Sequence, residues 1–208
     1  TNGRVCVASP EGSIPRSGSQ RVDVDVYKFD AESSLFLRFQ RFGATSPLAI
    51  VESAPGVQLC NATGAAPPGT ECTKEGPGCE CTNKTYVVVV DQIEDTSVYV
   101  HNDETMEWEW FQNVSTKGGL GAKLVRTQAG ETLLVVANSE DSANADPRSA
   151  MSAAYLLRNG AFVWTANFAT YAAAHVEHVA REGRDYFVVA NGGARPDEAG
   201  MCVNATCS

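Results

Sequence analysis

Tyr186-Phe187-Val188-Val189-Ala190-Asn191 is the stretch that decides the fold, because close copies of it recur along the chain. Two copies begin at Leu133 and Tyr86, and a fainter one begins at Arg4. Each copy is an unbroken apolar run that ends at a residue favouring turns, which is typical of a β-strand buried on both faces. A buried strand that recurs at intervals of several tens of residues predicts a tandem repeat.

Three further strands flank each copy and complete the repeating unit. A second strand follows the copy, a third, aromatic-rich strand follows after a turn, and a fourth leads into the next copy after a small-residue connector such as Gly121-Ala122. Asn159-Gly160 is the strongest hairpin signal among the turns. The second strands are predicted at residues 24–29, 97–101 and 154–158, the third at 35–40, 107–112 and 161–165, and the fourth at 48–52, 123–127 and 176–180.

The links between these strands have hairpin length, so the sheets should be antiparallel. Four short strands repeated every ~40–50 residues are the signature of β-propeller blades. We therefore expect an all-β fold of tandem four-stranded antiparallel blades, with a partial propeller over residues 1–193 and a cysteine-containing tail or linker over 194–208. The units would be three strands, two complete blades and two strands. A helix over the Ala-rich residues 166–181 is the alternative to strands there.

One pattern in these units matches a named family. It consists of an aromatic residue followed by Val-Val-Ala-Asn, then a Val-Tyr pair, an aromatic residue before Gln, and Gly-Ala. It is carried by Val98-Tyr99, Phe111-Gln112, Gly121-Ala122, residues 133–138, Phe162 and residues 186–191. This pattern resembles the epilepsy-associated repeat (EAR, also EPTP), over residues 97–193 and more loosely over 3–92, although the family's Trp-Glu-Pro-Phe-like motif after Gly-Ala is missing. The resemblance implies seven-bladed propellers of secreted or cell-surface proteins, which bind other proteins and do not catalyse reactions.

Sequons and cysteines indicate the compartment. Four Asn-x-Ser/Thr sequons, at Asn61, Asn83, Asn113 and Asn204, exceed the single one expected by chance. With seven cysteines, they predict an extracellular, secreted or cell-surface glycoprotein with disulfides. No apolar run is long enough to span a membrane, and a net charge of −9 argues against a nucleic-acid partner. Because the chain begins within a repeat, we expect a processed chain or a fragment.

The cysteines cluster in a Gly/Pro-rich insertion over residues 54–84, which has too few apolar residues for a core of its own. Cys79 and Cys81 are too close to bond each other comfortably, so each should pair with Cys60 or Cys72. A zinc site formed by all four is the alternative. Two more predictions concern the chain ends. Cys202 and Cys207 close a local ring, and Cys6 is either a buried free thiol or is bonded to a cysteine beyond the given sequence or in a neighbouring chain.

Other motifs give weak support for chemistry. His175 and His178 fall on opposite faces of a strand, so they are expected to be ordinary histidines and not metal ligands. The acidic turns and Asp23/Asp25 predict a solvated rim, with calcium as the alternative and no other cofactor. The glycine-rich residues 118–123 lack the Gly-Lys-Ser/Thr ending of a phosphate loop and are expected to connect strands. No nucleophile motif is present, so we expect a protein that is not an enzyme.

The sequence thus predicts a non-enzymatic extracellular module for protein–protein interaction or adhesion. A first alternative is a structural subunit of a filament or ring, in which neighbouring copies complete each other's open blades through unpaired strand edges. A second is a carbohydrate-binding domain that uses Trp108 and Trp110, with Trp164 packed in the core.

Overall fold

A computed structural model describes residues 5–8, 22–30, 32–45, 47–53, 56–64, 66–139 and 150–192. Within them the chain forms strands and no helix, so the all-β prediction is confirmed, and no helix there is long and apolar enough to cross a membrane. The strands are β1 (Val5–Ala8), β2 (Val22–Asp30), β3 (Leu35–Ala44), β4 (Pro47–Glu52), β5 (Gln58–Ala62), β6 (Cys79–Asn83), β7 (Tyr86–Asp91), β8 (Thr96–His101), β9 (Trp108–Val114), β10 (Gly119–Arg126), β11 (Thr132–Asn138), β12 (Ala150–Arg158), β13 (Ala161–Thr170), β14 (Ala173–Arg181) and β15 (Arg184–Asn191).

Apart from the separate hairpin β5–β6, the described strands form four antiparallel sheets that follow one another along the chain. Sheet I has the order β1-β2-β3, sheet II β4-β7-β8-β9, sheet III β10-β11-β12-β13, and sheet IV β14-β15. The predicted division into three, four, four and two strands is confirmed. The helix alternative for 166–181 is wrong, because this segment forms the second half of β13 and the whole of β14. A turn in which Ala172 has φ 48° joins the two strands. The connector predicted at 118–123 is also wrong, because β10 begins at Gly119.

Bulges at matching places give the sheets a common register. One bulge separates Val26 from Tyr27 in sheet I, and its equivalents precede Tyr99 in sheet II and Tyr155 in sheet III. A second recurs between the first two strands of sheets II, III and IV. Residues that hold the same place relative to these bulges are called register-equivalent below. The apolar phrases of β7, β11 and β15 are register-equivalent along their whole length.

The core lies between the sheets. In β7, Tyr86, Val88 and Val90 pack against sheet III, whereas Val87 and Val89 pack against sheet I. The same alternation recurs in β11, whose Val135 packs against sheet IV. The apolar phrases of β7 and β11 are therefore buried on both faces, as the sequence predicts. Strand β10 contacts β4 and β7 of sheet II and also β14 of sheet IV, so the first strands of successive sheets lie side by side.

The insertion forms a separate hairpin, β5–β6, between the first two strands of sheet II. Disulfides join Cys60 to Cys81 and Cys72 to Cys79. The hairpin is anchored on the turn between β12 and β13, where the N–H of Gly160 donates to the Cys60 carbonyl and the N–H of Cys72 to the Asn159 side chain. Asn159 and Gly160 both have positive φ, as a tight hairpin turn requires.

Candidate interaction surfaces

The C-terminal copy of the apolar phrase is buried on one face only. In β15, Phe187 and Val189 pack against sheet III, but Tyr186 and Val188 are 46% and 58% exposed. Their register-equivalents in β7, Tyr86 and Val88, are completely buried under sheet III. The outer face of sheet IV therefore carries side chains of the kind that the next sheet covers elsewhere in the molecule.

Strand β14 contributes to the same face. Val179 lies opposite Tyr186 and is exposed, whereas its register-equivalent in sheet III, Val125, is buried. Glu177 lies opposite Val188, and its carboxylate accepts a hydrogen bond from the Lys123 ammonium of sheet III at 2.8 Å. This bond, followed by a weaker contribution from His175, holds the pKa of Glu177 below its usual range. The face combines an apolar stripe with one ion pair at its inner edge, and we refer to it as the sheet IV face.

Sheet I, the first sheet in the chain, also exposes an apolar side chain whose equivalents are buried. Phe36 of β3 is 53% exposed, whereas its register-equivalents Trp108 and Phe162 are 7% and 3% exposed. Leu35 and Leu37 are also exposed, but as its neighbours along the strand they lie on the other side of sheet I from Phe36. The two equivalents are covered by the sheet that precedes them in the chain, and sheet I has no such neighbour among the described residues. We refer to this region as the sheet I face.

A glutamine side chain joins sheet I to sheet II, and an equivalent one joins sheet II to sheet III. Gln40 of β3 donates through Nε2 to the Trp108 carbonyl at 2.5 Å and accepts from the Trp108 N–H at 2.8 Å. Gln112 of β9 makes the same two bonds with Phe162, at 2.9 and 2.7 Å. The register-equivalent residue of sheet III is Ala166, which cannot make such bonds. We refer to this pair of bonds as the glutamine clamp. In the sequence, Phe111-Gln112 is only part of a family motif and gives no sign of the clamp, because the partner atoms belong to the backbone of a distant strand.

The tryptophans differ from their predicted roles. Trp108 is buried between sheets I and II, whereas Trp110 and Trp164 are 62% and 57% exposed. The prediction that Trp164 packs in the core is therefore wrong. Its indole N–H donates to Asn167 Oδ1 at 2.8 Å, just as that of Trp110 donates to Asn113. Both side chains lie on the last strand of a sheet, beyond the area that the neighbouring sheet covers.

The predicted modification sites fall on exposed positions where they are described. Asn61, Asn83 and Asn113 lie on β5, β6 and β9 with exposed side chains, and their glycosylation stays a prediction. Asn204 lies outside the described residues.

The predicted disulfide partners of Cys79 and Cys81 are confirmed, and the zinc alternative is wrong because all four cysteines are bonded in pairs. These bonds indicate an oxidising compartment. Cys202 and Cys207 lie outside the described residues, and for Cys6 only the backbone, in β1, is described.

The described residues do not assemble a metal site. No three His, Cys, Asp or Glu side chains among them lie close enough together to hold an ion. His175 and His178 lie on opposite faces of β14, as predicted, since they are three residues apart on a strand without an intervening bulge. His178 pairs with Asp185 at 2.8 Å. Of the predicted pair Asp23/Asp25, only the side chain of Asp25 is described, and a hydrogen bond from Arg41 holds its carboxyl pKa below the usual range.

Comparison with known proteins leaves these surfaces as the main guide to function, since no protein-family model and no curated protein sequence matches the chain.

Proposed function

We propose that this chain is a non-enzymatic, extracellular protein-interaction module built from β-propeller-type repeats of the EAR/EPTP kind. Its docking surface is the sheet IV face, and its partner presents a sheet of the same repeat type. The observation that carries the proposal is the contrast between Tyr186 and Val188, which are about half exposed, and their buried equivalents Tyr86 and Val88.

The chemistry of the occupant follows from the equivalent interface inside the chain. Tyr86 and Val88 are covered by Leu124, Leu134 and other apolar side chains of sheet III. The sheet IV face repeats the side of sheet II that packs on sheet III. The partner surface that fits it best is therefore one that repeats the side of sheet III that packs on sheet II. Sheet IV also has only two strands, so the outer edge of β15 has no pairing strand in the described part of the chain. Such an edge accepts further strands from a partner.

The arrangement of the sheets and the compartment both agree with this proposal. The proposal of propeller-type blades is supported by the antiparallel sheets, by cores that lie between them, and by the first strands of sheets II, III and IV, which lie side by side. The two disulfides and the exposed sequons of Asn61, Asn83 and Asn113 are typical of secreted or cell-surface proteins.

A second candidate is a structural subunit that assembles head to tail into a ring or filament. The observation that favours it is the exposure of Phe36, because the sheet I face then supplies the surface that covers the sheet IV face of the next copy. Two different surfaces that bind each other form a heterologous contact, which generates rings when it closes and filaments when it does not.

The test is sedimentation and light scattering of the purified chain over a range of concentrations. We expect association at or below about 100 μM, which corresponds to a modest binding free energy. Val188→Glu should abolish it by placing a charge in the middle of the apolar stripe. The matched control is Ile93→Glu, which changes an equally exposed apolar residue on a loop outside either face.

The outcomes separate the two candidates. Association that is lost in Val188→Glu and retained in Ile93→Glu supports the sheet IV face as the docking surface. If Phe36→Asp also abolishes association, the contact joins the two faces and the head-to-tail assembly is supported. If Phe36→Asp has no effect, the head-to-tail candidate is wrong. A chain that stays monomeric throughout, or one in which both glutamate variants behave alike, would overturn the docking proposal.

A further inference from the structure

Sheets I and IV are incomplete in complementary ways. Sheets II and III each fill four places, in the orders β4-β7-β8-β9 and β10-β11-β12-β13. Strands β14 and β15 hold the first and second places of sheet IV, because they share the bulge found between the first two strands of sheets II and III. Strands β1, β2 and β3 hold the second, third and fourth places of sheet I, because the bulge before Tyr27 matches those before Tyr99 and Tyr155. Among the described strands, both sheets therefore have a strand at the second place, and each lacks what the other supplies.

The two strands at the second place differ in how firmly their sheets hold them. Strand β15 has eight residues and pairs with β14 along its whole length. Strand β1 has four residues, Val5–Ala8, and no strand lies on its other side in the described part of the chain. If β15 of another copy took the place of β1, the strands β14-β15-β2-β3 would form one sheet with all four places filled. We refer to this arrangement as the merged sheet.

The backbone of β15 presents an open edge to such a partner. The N–H of Gly192 donates to the Ala172 carbonyl on the β14 side, and the direction of bonding alternates along an antiparallel strand. The N–H and carbonyl of Val188 therefore point toward β14, whereas those of Phe187 and Val189 point away from it. No strand of the described residues pairs with that edge. An edge of this kind accepts a strand from another chain.

The merged sheet would also cover the sheet IV face. In sheet II, Val88 lies opposite Val98. The register-equivalent pair in the merged sheet is Val188 and Val26, and Val26 is buried on the side of sheet I that packs on sheet II. Val188 and Tyr186 would then pack on sheet II of the second copy, as their equivalents in β7 pack on sheet III.

The same step would cover Phe36 from the other side. Its register-equivalents Trp108 and Phe162 are buried against the preceding sheet, whereas Phe36 is exposed. Sheet IV packs on sheet III, so the sheet that precedes β3 in the merged sheet is sheet III of the copy that supplies β14 and β15. One rearrangement thus covers the exposed apolar side chains of both faces.

Charges at the end of the new strand pair agree with this register. Counting from Val188 opposite Val26, Arg184 of β15 lies opposite Asp30 of β2. Arg184 is exposed and Asp30 is partly buried. Opposite charges directly across an antiparallel pair stabilise it, and like charges destabilise it. The register that aligns the apolar residues therefore also places a cation against an anion.

We propose that two copies of this chain join by forming two merged sheets, in each of which β15 of one copy replaces β1 of the other. The inference rests on the proposed function, whose sheet IV face and propeller-type packing it uses, and it identifies the partner as a second copy. It differs from a stacking of the sheet IV face on the sheet I face, because the copies are joined by backbone hydrogen bonds along a strand edge.

The number of copies follows from the number of complete sheets. With β1 displaced, the described strands of each copy supply sheet II, sheet III and the strands of one merged sheet. Two copies thus supply twice these three sheets, a total that lies within the range of about four to eight blades in closed propellers. One copy falls below this range and three copies exceed it. The contact should therefore close on two copies and not extend into a filament.

The experiment combines sedimentation and light scattering of the purified full chain with amide hydrogen exchange followed by NMR. We expect a particle of two chains. In this particle the N–H groups of Phe187 and Val189 should exchange at least ~10-fold more slowly than in the dilute monomer. The N–H of Val188 is the matched control, because β14 binds it in both forms and its exchange should change much less.

A charge exchange tests the register. Arg184→Asp and Asp30→Arg should each weaken association by about 3- to 10-fold, since each places like charges opposite one another. The two substitutions in one chain should restore it, because the opposite charges then face each other again. Arg181→Asp is the control, since Arg181 is equally exposed but lies on β14, away from the new strand pair.

The contrary outcomes separate this inference from the proposed function. Association that Val188→Glu abolishes, but that leaves the N–H groups of Phe187 and Val189 unprotected, would refute the merged sheet and leave the sheet IV face as a docking surface. A double charge variant that binds as weakly as the single variants would refute the register. A particle that keeps growing with concentration would refute the closed pair. A chain that stays monomeric would overturn both proposals.

Discussion

Strands β7 and β15 carry nearly the same apolar phrase and end in opposite environments. Tyr86 and Val88 of β7 are completely buried, while Tyr186 and Val188 of β15 are about half exposed. The strands have the same register within their sheets, and each pairs with the first strand of its own sheet. The difference therefore lies in what packs on the sheet from outside, and not in the strands themselves.

This contrast shows that the apolar phrase determines two packing surfaces as well as a strand. Its alternate residues serve two different neighbours: Val87 and Val89 face the preceding sheet, and Tyr86 and Val88 face the following one. When one neighbour is missing, half of the phrase still packs and the other half becomes a surface. An exposed apolar stripe of this kind marks an interaction site when it is continuous.

The largest effect is expected from placing a charge at the two equivalent valines. Val88→Glu buries a carboxylate without a partner and should lower the free energy of unfolding by about 3 kcal/mol or more. Val188→Glu adds the same charge at a solvent-facing position and should change that free energy by less than about 0.5 kcal/mol. Urea denaturation at low protein concentration measures both values without interference from association. Similar losses in the two variants would mean that the environments of β7 and β15 do not differ as described.

A smaller effect is expected from removing the glutamine clamp. Gln112→Ala leaves the partly buried N–H and carbonyl of Phe162 without these hydrogen bonds. The free energy of unfolding should fall by about 1–3 kcal/mol. Gln40→Ala should cost a similar amount through Trp108. Thermal unfolding of the two variants measures both changes.

Ala166 provides the control for the clamp. Ala166→Gln adds a glutamine at the register-equivalent place in sheet III, where sheet IV has no fourth strand to receive it in the described part of the chain. We expect no gain in stability for the isolated chain. A clear stabilisation by this variant, or a negligible cost of Gln112→Ala, would contradict the role assigned to the clamp.

The smallest change in stability is expected from pH, at the junction between sheets III and IV. This junction has no glutamine clamp, but the ion pair between Lys123 and Glu177 joins its two sheets. The pKa of Glu177 is lowered in the folded state, chiefly by Lys123. The ion pair therefore contributes to the stability of the fold at pH values above the ordinary pKa of a glutamate. The contribution is lost as the pH falls through the lowered folded-state value.

Hydrogen exchange in β14 and β15 tests this prediction at pH 7 and near pH 3. Glu177→Gln should increase exchange slightly at the higher pH and should match the unmodified chain at the lower one. A difference that persists at low pH would assign the effect to packing and not to the charge.

Much of the fold could be predicted because local patterns determine it. The apolar phrases, the hairpin signal at Asn159-Gly160 and the length of the links predict the sheets and their strand order. The short spacing of Cys79 and Cys81 predicts that each bonds Cys60 or Cys72, but it does not predict which of the two pairings forms.

The candidate surfaces could not be predicted in the same way, because exposure depends on which sheets are neighbours. Trp164 illustrates the problem, since an aromatic residue on an alternating strand has the same pattern whether a neighbour covers it or not.

The glutamine clamp also bears on how such chains evolve. Gln40 and Gln112 bind backbone atoms, so the clamp places no demand on the identity of the residue it holds, and that residue is already tryptophan in one sheet and phenylalanine in the next. A copy of sheet I or sheet II would bring its own glutamine, and the last strand of a following four-stranded sheet would offer it a backbone N–H and carbonyl whatever side chain stands there. A copy of sheet III, which carries Ala166 at that place, would bring no such joint.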